Sequence, residues 1–230
     1  MRLYSYTLRV DDGAAPNPYG GVCTLTICKP TIRRLAKVGD WIVGLGPKGA
    51  PGNIDLSSHI IYAMRVSRVL SLANYNDYCR LLLPSKIPQW QAAVPFEHMV
   101  GDCIYYPRGG DLAQRPGVHR KENADVDKRG ENALLAEEVF YYFGDSPVEL
   151  PEDLQGIRHN TQGHKVHANE KLKEKFVAWA LGGFGDGRHP RILYGQPLHR
   201  SEVRPGSGKA TWAACGGIRA SDPDGEVVIC

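Results

Sequence analysis

The sequence predicts an α+β domain: a strongly bent, mostly antiparallel sheet or partial β-barrel with helices packed around it. Three observations carry this expectation. Residues 2–10 alternate, with Leu3, Ser5, Thr7 and Arg9 set against Tyr4, Tyr6, Leu8 and Val10, which is the two-residue period of a strand. Residues 38–70 read as strand, irregular loop, strand: a Gly39-Asp40 turn, the apolar run Trp41-Ile42-Val43, a loop with Gly44, Gly46, Pro47, Gly49, Pro51, Gly52 and Asn53, then His59-Ile60-Ile61-Tyr62-Ala63-Met64-Arg65-Val66. The second run is rich in β-branched and aromatic residues, which suit a pleated surface. Helical spacing is confined to short, separate stretches.

In chain order, residues 11–21 form a turn-rich loop around Pro16-Asn17-Pro18 and Gly20-Gly21. Residues 22–28 predict a second strand, closed by Lys29-Pro30. Thr31 offers an N-cap for a helix over 31–37 that ends at Gly39. Tyr75, Tyr78, Leu81 and Leu82 place a helix over 74–83, stopped by Pro84 and Pro88. A second Gly-Asp step, Gly101-Asp102, precedes Cys103-Ile104-Tyr105-Tyr106. Residues 107–132 are charged, Gly-rich and poor in apolar side chains, so an exposed insertion or partly disordered loop is expected there. Val139 to Phe143 is an apolar, aromatic run that predicts a strand. Asn169 reads as an N-cap for a helix over 170–181, with Leu172, Phe176, Val177 and Trp179 as its apolar face. The main domain is therefore set at 1–184, with 185–230 a loosely structured C-terminal extension in which only 191–194 and 225–229 look strand-like.

The 230 residues suit one large domain, and with 42% apolar side chains they can build a core. The 28 basic and 25 acidic residues leave a net charge of +3, short of the field that grips long duplexes through phosphate neutralisation alone. Cys23, Cys28, Cys79, Cys103, Cys215 and Cys230 form no close Cys-x-x-Cys pair. No signal-peptide pattern is present, and no apolar run nears the ~20 residues of a membrane span. A cytoplasmic protein with reduced thiols and no membrane partner is the expectation.

Several segments carry a family likeness. MRLYSYTLRVDDGAAPNPYGG, CTLTICKPTIRRLAKVGDWIVGLG, YAMRVSRVL, GDCIYYP and VFYYFGDSPVELP resemble the second of the nucleotide modification associated domain families. GDWIVGLG and HIIYAMRVSRVL are also similar to the PUA-like superfamily of EVE, YTH and ASCH domains. The first resemblance implies a DNA-binding module that recognises a modified base and is linked to base-modification or phage and defence systems. The second implies a pocket at a barrel mouth, lined by Trp41, the 44–53 loop and Tyr62.

The residues are weighed against that expectation. Trp41, Tyr62, Tyr105 and Tyr106 sit beside polar loops and could stack an extruded base, or simply fill the core. Asn17, Asp40, Asn53 and Ser58 could read base edges, and Asn17 and Asp40 equally suit turns. With Trp41, Tyr62 and Tyr106 they make the expected base-binding set. Lys29, Arg33, Arg34, Arg65, Arg158, His164 and Lys165 make the expected phosphate-contacting set, with Arg68 beside Arg65; each is also a plausible solvated surface residue. His159, His164 and His167 lie together, as a solvated loop, a phosphate or base-edge contact, or a metal site that lacks an obvious third ligand. Cys23 and Cys28 read as a strand face, because a nucleophilic cysteine needs a positioned base and the sequence identifies none. No dinucleotide, phosphate-loop or zinc-deaminase motif is present. No catalytic residue, metal or cofactor is expected. The alternatives are an enzyme acting on modified nucleotides or DNA through segment 159–167, and a scaffold subunit with protein partners in a modification complex.

Overall fold

A computed structural model describes residues 1–159 and 163–205. The expected strand at 225–229, most of the expected C-terminal extension, Cys215 and Cys230 lie outside the described residues. So do Asn160 and Gln162 of the His-rich segment.

The strands are β1 (Leu3–Thr7), β2 (Cys23–Leu25), β3 (Trp41–Leu45), β4 (His59–Arg65), β5 (Arg68–Ser71), β6 (Tyr105–Arg108), β7 (Asp111–Gln114), β8 (Asn132–Ala136), β9 (Phe140–Tyr142), β10 (Val148–Glu149) and β11 (Ile192–Leu193). The helices are α1 (Pro30–Leu35), α2 (Leu72–Leu82), α3 (Phe96–Met99), α4 (Ala124–Lys128) and α5 (Lys173–Leu181). The large sheet runs β1-β3-β4-β9-β11, with β10 also on β4; a smaller one runs β2-β8-β5, and β6 and β7 form a hairpin. Among the described residues only β1 with β3 and β9 with β11 pair in parallel, so the sheets are mostly antiparallel, as the sequence predicts.

Two-residue periodicity decides the layering. Along the large sheet, Tyr4, Tyr6, Ile42, Tyr62, Met64, Phe140 and Tyr142 face one core with Cys23, Leu25 and Leu134 of the small sheet. Leu3, Trp41, Val43, Ile60, Ala63, Tyr141 and Phe143 face a second core under Phe176 and Ala180 of α5. Ala133 and Leu135, on the far face of the small sheet, pack with Tyr75 and Cys79 of α2. The order is helix, sheet, sheet, helix. In place of one strongly bent sheet the described residues form separate sheets joined by a crossing ribbon: β4 passes into β5, and β8 into β9. Arg65 N–H donates to Val139 O at 2.9 Å and Ser67 N–H to Leu135 O at 2.8 Å across the crossing. The described residues form no closed barrel; two faces of apolar residues on each central strand call for layers on both sides.

Some expected boundaries move for identifiable reasons. Helix α1 begins at Pro30, and Thr31 is buried inside it rather than capping it. Helix α2 starts earlier, because Ser71 Oγ caps it by accepting from Asn74 N–H at 3.1 Å. Asn169 does not cap α5; its amide is buried and donates to Leu3 O and Ser5 Oγ, both at 2.9 Å. Residues 107–132 are not a loose insertion: they complete β6, supply β7 and α4, and bury Asp127 to 1% exposure. The fold also continues past residue 184. Strand β11 pairs with β9, and Leu198 and His199 bond to Asp11. No helix among the described residues is long and apolar enough to cross a membrane.

Candidate active site at Cys28, His119 and Asp127

Strand β2 delivers the chain to Cys28 and Lys29, which stand at φ 58° and 42° just before Pro30 opens α1. Left-handed backbone in residues other than glycine costs ~1–3 kcal/mol each and persists only where surroundings enforce it. Two side chains enforce it here. Asp127 Oδ1 accepts the Cys28 N–H at 2.8 Å, and Arg33 Nε donates to Cys28 O at 2.8 Å. Arg33 is fully buried; it also donates to Asn132 O at 2.7 Å and to Asp127 O. Gly130 makes room for it, since a Cβ there would stand 2.3 Å from the guanidinium carbon.

Asp127 Oδ2 accepts Nδ1–H of His119 at 2.6 Å and the Tyr105 hydroxyl at 2.9 Å. Burial alone would lift the Asp127 carboxyl; the charges of His119 and Arg33 and the Cys28 amide outweigh it and hold it below the usual carboxylate range. An ionised carboxylate only accepts, so its bond to Nδ1 places the histidine hydrogen there. Nε2 is thereby left toward Cys28, with Sγ 3.2 Å away. Gln114 Nε2 donates to His119 O at 2.9 Å and so helps set the loop that carries the imidazole. Thiol, base and orienting carboxylate are thus in line, the order that activates a cysteine nucleophile. Cys28 is half-buried, whereas Cys23, Cys79 and Cys103 are buried.

The family model of nucleotide modification associated domain 2 matches residues 1–202. The chain belongs to this family. No curated protein and no solved structure matches it.

In this nucleotide modification associated domain, the residues expected to form a base pocket are dispersed. Trp41 and Tyr62 are fully buried on opposite faces of the large sheet. Trp41 packs edge-on against Phe176, and the Tyr62 hydroxyl meets that of Tyr6 at 2.7 Å. Neither ring has a solvent face on which a base could stack. Asn17 is buried, donating to Val100 O at 3.0 Å and accepting from Lys86 Nζ at 2.7 Å. Asp40 is buried as a turn residue, accepting the amides of Arg2 and Lys37. Tyr105 is buried with its hydroxyl on Asp127. Asn53 is exposed on its loop, Ser58 bonds the His59 ring at 3.2 Å, and Tyr106 lies under the Arg115 guanidinium.

The basic residues are equally scattered. Arg33 serves the Cys28 turn. Lys29 stands over the Tyr6 ring, its Nζ 4.3 Å from the centroid. Arg34 is exposed on α1, and Arg65 and Arg68 pair with Glu138 and Glu137. Arg158 is held by Ser57, Lys165 bonds Gly156 O and Arg158 O, and buried His164 packs near Tyr4. His159 and His164 are buried while His167 is exposed, so segment 159–167 does not present its histidines as a set.

The residues that do converge were hard to see in sequence. Cys28 is 91 positions from His119 and 99 from Asp127. The one local signal was a cysteine at a strand-to-helix junction before Lys29-Pro30, and its partners fell in the charged stretch 107–132.

Proposed function

We propose that this domain is a thiol enzyme whose Cys28 attacks an acyl-type group on a nucleotide or a modified base in DNA. The observation that carries the reading is the 3.2 Å approach of Cys28 Sγ to a His119 ring whose other nitrogen is fixed by Asp127 at 2.6 Å. The nucleotide side rests on the family's description. Cys28 passes its proton to His119 Nε2, and the thiolate adds to the carbonyl carbon. Collapse expels the leaving amine or alkoxide, which takes the proton from His119. The thioester left on Sγ is then hydrolysed by water that His119 deprotonates, regenerating the thiol and releasing the acid. Asp127 keeps the imidazole in register and stabilises its charged form, without itself being protonated. A non-catalytic reader that stacked a base on Trp41 or Tyr62 would first have to open the core.

The test is iodoacetamide alkylation at pH 6.5, followed by peptide mapping of Cys28. A free thiol with pKa ~8.5 is about 1% thiolate there. Wild-type Cys28 is expected to react about tenfold faster than a free thiol, because a histidine-paired thiolate gains population and loses some nucleophilicity. His119→Ala and Asp127→Asn are expected to remove most of the advantage. Reaction at the free-thiol rate, unchanged in both variants, would overturn the assignment.

A further inference from the structure

We infer that the cleft beside His119 is a binding site for a nucleoside monophosphate unit, either free or swung out of a strand. The inference deepens the thiol-enzyme reading, with which it shares His119, but its own observations are separate. The cleft holds about 370 Å³ and is walled by Trp90, Arg115, His119, Arg120, Lys121 and Glu122. That volume lies at the small end of the range for small-molecule sites, the scale of a single nucleotide unit. Three kinds of wall meet in it. Trp90 lines the cleft and is half-buried, packed in part against the core, and any base presents a π-face to such a ring. Arg120 and Lys121 are exposed, and among the described residues neither has an ion-pair partner. Two adjacent cations of this kind suit a phosphate. Arg115 is already committed: it donates to Asn76 Oδ1 at 2.7 Å and Cys103 O at 3.0 Å, so it shapes the wall. Glu122 would repel a second phosphate nearby and can accept from a sugar hydroxyl. His119 closes the same wall, and its Nε2 lies 3.2 Å from Cys28 Sγ, so the cleft adjoins the thiol.

The experiment is calorimetric titration at low salt of the Cys28→Ser protein, which cannot turn over through a thioester. The probes are adenosine, cytidine and thymidine monophosphates, the matching nucleosides, inorganic phosphate, and a short single-stranded oligonucleotide. Monophosphates are expected to bind at least tenfold tighter than nucleosides or phosphate alone. Arg120→Glu with Lys121→Glu should weaken them tenfold or more, and Trp90→Ala by roughly tenfold, since a stacked base is held by that order of factor. Thermal unfolding of each variant checks folding. A tighter hold on the oligonucleotide than on monophosphates, lost in the same variants, assigns the unit to an extruded nucleotide; the reverse order assigns it to a free one. No binding by any probe, or binding indifferent to both variants, overturns the site. That failure is separable from the triad's: alkylation reports Cys28 whether or not the cleft binds, and titration reports the cleft in a protein without the thiol.

Discussion

Two buried charges away from the thiol govern much of how this domain responds to its surroundings. Asp11 is wholly buried; its Oδ1 accepts the Tyr142 hydroxyl at 2.5 Å and its Oδ2 the Leu198 amide at 3.0 Å. Burial raises its pKa to about 7; these two hydrogen bonds oppose the rise, and nearby Asp12 and Asp145 add to it. A raised carboxyl favours the fold while protonated, so its contribution is complete below the unfolded value near 3.8 and is lost as pH climbs toward 7. The shift corresponds to on the order of 4 kcal/mol. Asp11→Asn should therefore gain on wild type between pH 5 and pH 8, read as the difference in urea midpoints; parallel curves would refute this. Lys86 is the second charge. Its Nζ lies 2.7–2.9 Å from Asn17 O, Asn17 Oδ1, Val22 O and Thr24 Oγ1, which share its three hydrogens, and Thr24 donates in turn to Asp102 at 2.6 Å. Burial lowers the Lys86 pKa and Asp102 opposes the fall. Lys86→Met leaves the Asn17, Val22 and Thr24 acceptors without their donor and removes the positive charge that acts on buried Asp102, so a loss of about 3–5 kcal/mol is expected by urea denaturation. A loss under ~1 kcal/mol would mean the network is worth no more than a surface pair.

At the scale of elements, the junction between β2 and α1 depends on α4 and the turn after it. Arg33 reaches through that turn because Gly130 has no side chain. Gly130→Ala would press a methyl group into a guanidinium held by Cys28 O, Asn132 O and Asp127 O. Overpacking of this kind costs roughly 1–3 kcal/mol, and it should also slow Cys28 alkylation by releasing the left-handed turn. Normal stability with normal alkylation would show that Arg33 can give way. This coupling also explains what could be read from sequence. Strand β1 was legible because residues 2–10 alternate, and β3, β4 and β9 because strands buried on both faces between two cores read as apolar, β-branched and aromatic runs. The site was not, because its partners meet across 91 and 99 residues through polar contacts. Residues 107–132 are poor in apolar side chains, which usually marks an exposed loop, yet Asp127 and His119 anchor them through hydrogen bonds that leave no hydrophobic period. Trp41 and Tyr62 misled for the opposite reason: an aromatic beside a glycine loop has the same signature in a core as in a pocket.

For the whole molecule, the four-layer order leaves one edge of the large sheet to be finished by the far end of the described chain. Strand β11 lies parallel to β9, with Ile192 opposite Tyr141 and Leu193 opposite Tyr142. Beyond it, Leu198 N–H reaches Asp11 Oδ2, His199 N–H donates to Asp11 O at 2.8 Å, and the Asp11 N–H donates to His199 Nδ1 at 3.1 Å. The segment thus bonds β9 on one side and the loop after β1 on the other, which is consistent with a family match that extends to residue 202. A chain ending after residue 190 would expose the β9 edge and leave the buried Asp11 carboxyl without its Leu198 donor. Unpaired edges and orphaned buried acceptors both carry a cost. Such a truncation should lower the urea midpoint and, because less surface is buried on folding, reduce the m-value as well. A chain ending after residue 205 keeps every one of these bonds and serves as the reference. If the two unfold alike in midpoint and slope, then residues 191–205 rest on a fold already complete without them. If only the shorter chain loses stability, and Asp11→Asn in that shorter chain recovers none of the loss, the contribution lies in the β9–β11 edge rather than in the carboxyl.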